Sequence, residues 1–274
     1  MTAEWGEQPA APLVIQGKHL EYQCYGPAPD QAPTIVMLHE GLGCTALWRD
    51  LPRAIAAATG WGVFVYSRAG YGQSDTADLP RPLDYMTGEA VDVLPQVLDA
   101  IGFRRGVLLG HSDGATIAAI YAGSVSDFRV RGLVLMAPHF FTEDTGLAEI
   151  ARAKVAYDTG DLAAKMAKYH RDPDNTFRGW NDSWLDPGFK AWNVAEVIDY
   201  LRVPTLAIQG RDDRYGTLAQ IEEIATRSYA PVDVEIINDC GHAPHLDQPE
   251  QVLSAIGEFL LRLNRLETEP VQIA

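Results

Sequence analysis

The chain has 274 residues, of which 47% are hydrophobic. It is therefore long enough for one large domain or two small ones, and its apolar content excludes a disordered protein. Its 37 acidic and 22 basic side chains give a formal net charge of −15 at pH 7, which repels phosphate backbones and anionic lipids, so neither a nucleic acid nor a membrane is an expected partner.

The chain begins without the features of an export signal. Residues 1–9 have no basic start and no apolar run, and no stretch approaches the roughly 18 apolar residues that span a bilayer. The three cysteines, Cys24, Cys44 and Cys240, are odd in number and far apart, which favours packed thiols in a reducing compartment. We therefore expect a cytoplasmic protein. No metal-ligand spacing or dinucleotide fingerprint is present, so we expect no metal and no other cofactor.

The first 138 residues predict strands and helices in alternation. Residues 13–15 and 19–25 predict an opening hairpin that turns at Gly17. Four short apolar strands follow, at about 34–39, 62–67, 105–110 and 132–137. Helical patterns separate them at 47–59, 86–101 and 113–122, and Pro95 predicts a kink or an early start in the second of these.

The composition changes after Pro138. Residues 139–200 contain no clear buried strand; amphipathic helical patterns cover 146–158 and 161–169, and a Pro-, Gly- and Trp-rich stretch covers 173–189. Strand patterns resume at Thr205 and again at Val234. The alternation predicts an α/β fold with a mostly parallel central sheet flanked by helices. Residues 139–200 form an insertion between its sixth and seventh strands in chain order.

Residues 110–114 read Gly-His-Ser-Asp-Gly, a G-x-S-x-G pentapeptide between an apolar strand and a helix. The turn is so tight that Gly110 and Gly114, which flank Ser112, must lack bulk. The helix beyond the serine directs free N–H groups to the position where an oxyanion would form. This context predicts that Ser112 is a nucleophile.

Two later strands run into loops that carry an acid and a base. The first ends in a Gly-x-x-Asp loop at Asp213, and the second ends in a Gly-His loop at His242. The order Ser112, Asp213, His242 resembles that of the α/β-hydrolase family, and the resemblance covers nearly the whole chain. Further matches are His-Glu-Gly-Leu-Gly at 39–43, Ser-Arg-Ala-Gly-Tyr-Gly-Gln-Ser at 67–74, and a segment at 241–250 with Asp247 where the family has glutamate.

The resemblance implies the division of the chain as well as its fold. This family places a cap in the insertion before the strand that leads to the acid. We therefore assign residues 1–138 and 201–274 to an α/β-hydrolase core and residues 139–200 to a helical cap. Loops of such an insertion suit substrate specificity, because the sheet fixes the catalytic atoms while the insertion varies.

Other residues compete for the acid and the base. His245, three residues after His242, is the alternative base, but the preceding glycine and the proline spacing favour His242. Asp212 adjoins Asp213, and the spacing from the loop glycine selects Asp213. Some family members place the acid after the preceding strand, which would select Glu143 or Asp144. His111 should point away from the serine hydroxyl, and His39 should make a structural hydrogen bond.

The oxyanion hole needs two amide donors. The first should be the N–H of Asp113, whose carboxylate suits the first turn of a helix. The resemblance implies that the second comes from Gly41 or Leu42, and these two stay open. Glu40 stands where the family has glycine. Its carboxylate either turns away to pair with Arg68 or Arg49, or contacts a polar or cationic group of the substrate.

The cap is rich in aromatic residues, and Trp180, Trp184 and Trp192 lie within 13 positions of each other. We expect these three to form the apolar wall of a substrate pocket. The motifs predict a serine hydrolase that cleaves a carboxylic ester of a small, apolar or aromatic substrate through an acyl-enzyme. Alternatives on the same triad are a carbon–carbon bond hydrolase, a lactonase or a thioesterase, and a non-catalytic ligand-binding protein is a further alternative. The expected partner is a small molecule, and no oligomeric state is predicted.

Overall fold

The computed structural model describes residues 3–268. A small antiparallel hairpin of β1 (Leu13–Ile15) and β2 (Lys18–Leu20) opens it, and β3 (Tyr22–Tyr25) then enters the central sheet. The single strand predicted at 19–25 is therefore wrong. It is interrupted at Glu21, whose carboxylate accepts hydrogen bonds from the Ser67 hydroxyl at 2.7 Å and the Gln73 N–H at 3.0 Å.

Within residues 3–268, seven strands form the central sheet. After β3 these are β4 (Thr34–Leu38), β5 (Gly62–Tyr66), β6 (Gly106–His111), β7 (Val130–Met136), β8 (Thr205–Gly210) and β9 (Val232–Ile237). Their spatial order is β3-β5-β4-β6-β7-β8-β9, in which only β3 pairs antiparallel with its neighbour. The predicted mostly parallel sheet is confirmed. The order reverses between β4 and β6, and the crevice at the carboxyl ends of such strands is where ligands bind in open α/β sheets.

Helices cover both faces of this sheet, as the uniformly buried strands β4, β5, β6 and β8 require. In chain order the helices outside the insertion are α1 (Leu51–Thr59), α2 (Tyr85–Gly88), α3 (Leu94–Ala100) and α4 (Asp113–Ser124), and after the insertion α8 (Ala219–Arg227), α9 (Pro244–Asp247) and α10 (Pro249–Thr268). Helices α1 and α10 pack on the face that carries Ile35 and Met37. Helices α3, α4 and α8 pack on the opposite face, which carries Val36 and Leu38.

The helix predicted at 86–101 is irregular rather than absent. Between α2 and α3 the chain makes a π-helical turn at Glu89–Val93, and Pro95 is the second residue of α3. Proline has no N–H, and its ring clashes with the carbonyl four residues earlier, here that of Val91. The widened turn before the proline accommodates that carbonyl.

The insertion between β7 and β8 is helical. It contains α5 (Asp144–Thr159), α6 (Leu162–Met166), α7 (Pro173–Trp184) and two 3-10 helices, Pro187–Ala191 and Ala195–Tyr200. It follows the fifth strand of the central sheet, not the sixth, because β1 pairs only with β2 and adds nothing to that sheet. We call residues 139–200 the cap segment; its division from a core of 1–138 and 201–274 stays a proposal.

The three cysteines are free and buried. Burial raises the pKa of Cys24 and Cys44 to about 12 and that of Cys240 to about 11. Such thiols stay protonated at neutral pH and behave as small apolar side chains. Between residues 3 and 268, no helix is both long and apolar enough to cross a bilayer.

Candidate active site

Four loops at the carboxyl edge of the sheet meet at one place. Ser112 follows β6, Asp213 follows β8, and His242 follows β9. Residues 39–43 follow β4, the strand next to β6. Because parallel strands end at the same edge, segments 130 residues apart in the chain become neighbours there.

The turn at Ser112 is strained, and its neighbours leave no room for side chains. Ser112 has φ 52° and ψ −120°, a left-handed backbone conformation that L-residues rarely adopt. A Cβ on Gly110 would lie 2.3 Å from the carbonyl oxygen of Gly114, and one on Gly114 would lie 2.0 Å from that of Leu38. Both glycines are therefore required by the close approach of backbone to backbone.

Ser112, His242 and Asp213 form a hydrogen-bonded line. The Oγ of Ser112 lies 2.9 Å from Nε2 of His242, and Nδ1 of His242 lies 2.7 Å from Oδ2 of Asp213. A carboxylate only accepts, so Nδ1 carries the hydrogen and Nε2 is free to accept the hydroxyl proton. This is the geometry of a base that is oriented by an acid and directed at a hydroxyl.

Asp213 is fixed by further donors. Its Oδ2 also accepts from the side-chain amide of Gln209 at 2.8 Å, and its Oδ1 accepts from the backbone N–H of Tyr215 at 2.8 Å. Burial alone would raise the pKa of this carboxyl group. The hydrogen bonds from His242 and Tyr215 outweigh burial, so its pKa is lowered below the usual value and the group is ionised at neutral pH.

The candidate alternatives to Asp213 and His242 lie elsewhere. Asp212 is exposed, and Asp144 is exposed beside Lys190. The Glu143 carboxylate accepts from the Thr217 N–H and hydroxyl and from the Gln220 amide. The ring of His245 packs 5.1 Å from the Trp48 ring, and burial lowers the pKa of His245 to about 3.

The predicted amide donors surround the serine. Asp113 is the first residue of α4, and the turn at 40–43 is closed by a bond from the Gly43 N–H to the Glu40 carbonyl at 3.1 Å. Asp113, Gly41 and Leu42 all line the cavity in front of Ser112. Within residues 3–268 their N–H groups have no hydrogen-bond acceptor, so they are available to a ligand oxygen. The choice between Gly41 and Leu42 stays open.

Glu40 is paired, but not with the residues expected. Arg68 donates to the backbone carbonyls of His39 and Glu40, and Arg49 donates to the Tyr169 hydroxyl. The Glu40 carboxylate instead lies 3.4 Å from Nδ1 of His111. The expected arginine pairing is therefore wrong, because both guanidinium groups have other acceptors.

The Asp113 side chain begins a hydrogen-bonded chain that leads to the cap segment. It is only 1% exposed and accepts from the Tyr85 hydroxyl, which in turn accepts from the Trp184 indole N–H at 3.0 Å. Burial raises the pKa of Asp113 despite the nearby Arg68. The carboxylate is therefore a buried structural acceptor rather than a solvated group at a helix end.

A cavity of about 270 Å³ opens in front of Ser112. Trp180 and Trp184 form the part of its wall that the cap segment supplies. Trp192 does not line it: its ring stacks on Phe189 at 5.0 Å and meets the Trp184 ring at 5.7 Å. The expectation for Trp192 is wrong, because this residue follows the 3-10 helix at 187–191 and packs behind Trp184.

Sequence reasoning missed several residues of this cavity. The lining comprises Glu40, Gly41, Leu42, His111, Ser112, Asp113, His139, Ile150, Trp180, Trp184, Tyr215, His242 and Ala243. Tyr215 stands two positions after Asp213, and His139 stands three positions after β7, which ends at the same sheet edge. From these positions in the sequence, both residues could have been predicted to line the cavity. Burial lowers the pKa of His139 to about 3, which keeps its ring neutral.

Within the described part of the chain, no group of three or more His, Cys, Asp and Glu residues is arranged to hold a metal ion.

Comparison with known proteins agrees with this architecture. The model of the alpha/beta hydrolase family matches residues 35–255. The chain is 30% identical to a proline iminopeptidase of Lactobacillus delbrueckii subsp. lactis, over 86% of this chain and 92% of that protein. It is 25% identical to a 2-hydroxy-6-oxononadienedioate/2-hydroxy-6-oxononatrienedioate hydrolase of Cupriavidus pinatubonensis, over 84% of this chain and 87% of that protein.

Among solved structures, one of the similar chains comes from a study of carboxylesterases of the thaumarchaeon Nitrososphaera gargenis. Its TM-score is 0.74 at 15% sequence identity, and the match covers 93% of this chain and 99% of the other. Similarity at this level of identity concerns the fold alone.

Proposed function

The chain belongs to the alpha/beta hydrolase family, and on that premise we propose that it is a serine hydrolase with Ser112 as nucleophile. His242 is the general base and acid, and Asp213 orients it. The observation that carries this proposal is the hydrogen-bonded line from Ser112 Oγ to His242 at 2.9 Å and onward to Asp213 at 2.7 Å.

The reaction is an acyl transfer in two halves. In the first, Ser112 Oγ attacks the acyl carbon, its proton passes to Nε2 of His242, and the carbonyl electron pair moves to oxygen. The N–H of Asp113 and that of Gly41 or Leu42 stabilise this oxyanion. Collapse expels the alcohol, which takes the proton from His242 and leaves an acyl-enzyme. In the second half, water attacks in the same way and releases the acid.

We propose a carboxylic ester with a small, apolar or aromatic group as the substrate. The cavity of about 270 Å³ is slightly smaller than most ligand pockets, which span roughly 300–1,000 Å³. Trp180 and Trp184 supply apolar surface, and the charge of Glu40 is offset by its neighbour His111. A small-molecule partner fits this enclosure.

A carbon–carbon bond hydrolase is the second candidate. The observation that favours it is the similarity to the Cupriavidus pinatubonensis hydrolase, whose name describes an oxo-dienedioate substrate. The same triad could act on the oxo group of such a compound, because an oxyanion forms there too. Lactonase and thioesterase activities are variants of the same acyl transfer and belong in the same substrate panel.

The first prediction is that an activated aryl ester is hydrolysed and that Ser112→Ala lowers turnover by about a millionfold, the size of loss seen when a triad serine is removed. A fluorophosphonate should label Ser112 and no other residue, which mass spectrometry of the digested protein would establish. Full activity in Ser112→Ala, or labelling of another serine, contradicts the proposal. A panel of acyl esters, lactones, thioesters and ring-fission dienones then ranks the substrate classes.

A further inference from the structure

The side chain of Glu40 has an unusual place in the loop that follows β4. It folds back over its own turn, so that a Cβ added at Gly43 would lie 2.2 Å from Oε2 of Glu40. Its Oε2 is 3.4 Å from Nδ1 of His111, and the two side chains are 23% and 2% exposed. A partly buried carboxylate therefore faces a buried imidazole beside the proposed nucleophile.

The other nitrogen of His111 fixes its protonation. Nε2 lies 2.6 Å from the backbone carbonyl oxygen of His242. A carbonyl only accepts, so Nε2 carries a hydrogen. In the neutral ring Nδ1 would then present a lone pair to the carboxylate of Glu40, which is repulsive, whereas the imidazolium presents a second N–H. Burial lowers the pKa of His111, but the Glu40 carboxylate and the His242 carbonyl outweigh it, and the net pKa is raised.

We propose that Glu40 is a positioning residue for the catalytic histidine and acts through His111. The carboxylate stabilises the protonated form of His111, and the charged ring donates a charge-assisted hydrogen bond to the backbone carbonyl of His242. The segments that carry Glu40, His111 and His242 are thereby joined. They meet where Ser112, His242 and the oxyanion donors must stay aligned. This inference rests on the proposed serine-hydrolase function.

The backbone of the loop does not depend on the Glu40 side chain. The Glu40 carbonyl oxygen accepts from Nδ1 of His39 at 2.7 Å, from Arg68 at 3.2 Å and from the Gly43 N–H at 3.1 Å. Replacing the carboxylate with an amide should therefore leave the turn at 40–43 in place. What changes is the charge that faces His111.

Other ionisable groups interact electrostatically with members of the pair. His39 precedes Glu40, His170 lies in the cap segment, Asp213 follows β8, and His242 and His245 follow β9. Burial lowers the pKa of His39, His170 and His245, so these three rings are neutral near pH 7. Among the histidines that interact with Glu40, His111 is therefore the one that the carboxylate keeps protonated.

The test measures the rate at which a fluorophosphonate labels Ser112. In this reaction the Oγ–P bond forms, the P–F bond breaks, fluoride leaves, and the serine proton passes to His242. The rate therefore reports the activation of the serine without knowledge of the natural substrate. Glu40→Gln should slow it about fivefold to tenfold near neutral pH, the difference between a charge-assisted and a neutral hydrogen bond.

The pH dependence separates positioning from mere structural support. As the pH rises through the raised pKa of His111, the wild-type ring loses its proton and with it the advantage that Glu40 confers. The ratio of wild-type to Glu40→Gln rates should therefore fall as the pH rises above about 6.5, the ordinary pKa of a histidine. A ratio that stays constant as the pH rises overturns the inference.

Two further variants complete the design. His111→Gln keeps a donor for the His242 carbonyl but has no charge for Glu40 to hold, so adding Glu40→Gln to it should slow labelling little further. Glu258→Gln, at an exposed site on α10, removes the same charge far from the pair and should label at the wild-type rate. Fully additive effects of Glu40→Gln and His111→Gln contradict the proposal.

The failures of the two proposals are distinguishable. If fluorophosphonate does not label Ser112 even in the wild type, the serine-hydrolase function fails. If the wild type and Glu40→Gln label equally, only the role of Glu40 fails. If Glu40→Gln does not fold, nitrogen-15 NMR of the wild-type histidines replaces it: labelling should fall in step with the deprotonation of His111, and a rate independent of that titration overturns the inference.

Discussion

The Asp213 carboxylate accepts four hydrogen bonds. The donors are Nδ1 of His242, the side-chain amide of Gln209 and the N–H groups of Tyr215 and Gly216. Its side chain is 1% exposed, whereas Asp212 is exposed. Residues 210–213 form a turn that is closed by a bond from the Asp213 N–H to the Gly210 carbonyl at 3.3 Å, and of its two aspartates Asp213 is the one that contacts the histidine.

We predict that Asp213→Asn lowers kcat by about ten-thousandfold, because an amide in that position favours the wrong tautomer of His242. Asp212→Asn, which makes the same chemical change one residue away, should retain nearly full activity. Steady-state kinetics on an activated ester measure both. Equal and mild losses would exclude Asp213 as the orienting acid, and equal, severe losses would mean that the loop itself had been disturbed.

Different kinds of contact hold the two parts of the site in place: close backbone packing at Ser112 and side-chain contacts in the cap segment. The strand–turn–helix at Ser112 leaves no room for a Cβ on either flanking glycine, because one on Gly110 would collide with the Gly114 carbonyl and one on Gly114 would collide with the Leu38 carbonyl of β4. The cap segment is fixed by tertiary contacts. Its Trp184 donates to Tyr85 on α2, and its Tyr157 stacks on Phe177 at 3.9 Å.

We predict that Trp184→Ala changes the order of preference among acyl and alcohol groups while hydrolysis of the smallest esters largely persists, because the triad lies on other elements. Trp192→Ala is the matched control. The Trp192 ring packs behind Trp184, outside the cavity, so the order of preference should remain that of the wild type. Urea unfolding must accompany the kinetics, since removing a buried tryptophan costs about 3–5 kcal/mol. A parental order in a folded Trp184→Ala protein would mean that this residue does not contact the substrate.

At the scale of the whole molecule, buried histidines couple stability to pH. Burial is the main cause that lowers the pKa of His139 and His245 to about 3 each. In the unfolded chain the pKa of a histidine is about 6.5. Between these values the unfolded state binds protons that the folded state does not, so stability falls as the pH falls. His111 acts in the opposite direction, because its pKa is raised.

We predict that the free energy of unfolding decreases from about pH 7 to about pH 5 by about 2 kcal/mol for each of these two histidines. Urea unfolding at the two pH values and constant ionic strength measures this. His245→Gln has no titrating group at that position, so its stability should fall by about 2 kcal/mol less. Stability that is flat or increases on acidification would contradict the burial of neutral imidazole rings.

The sequence by itself determined the α/β class, the parallel strands, and the candidacy of Ser112, Asp213 and His242. These features depend on short motifs and apolar runs, which can be recognised from neighbouring residues alone. Because parallel strands end at the same edge of a sheet, motifs that follow different strands come together there. The cytoplasmic location and the cap boundaries stay predictions, because nothing in the fold tests them.

Only the tertiary structure decided which groups meet across that edge. Glu40 pairs with His111 rather than with Arg68 or Arg49, Trp192 lies behind Trp184, and the strand predicted at 19–25 divides between two sheets. Each of these depends on competition among partners that are remote in sequence. The arginines are taken by backbone carbonyls and a tyrosine hydroxyl, and Glu21 is held by donors from residues 67 and 73. Such competition is settled by distances in the folded chain, which spacing along the sequence does not contain.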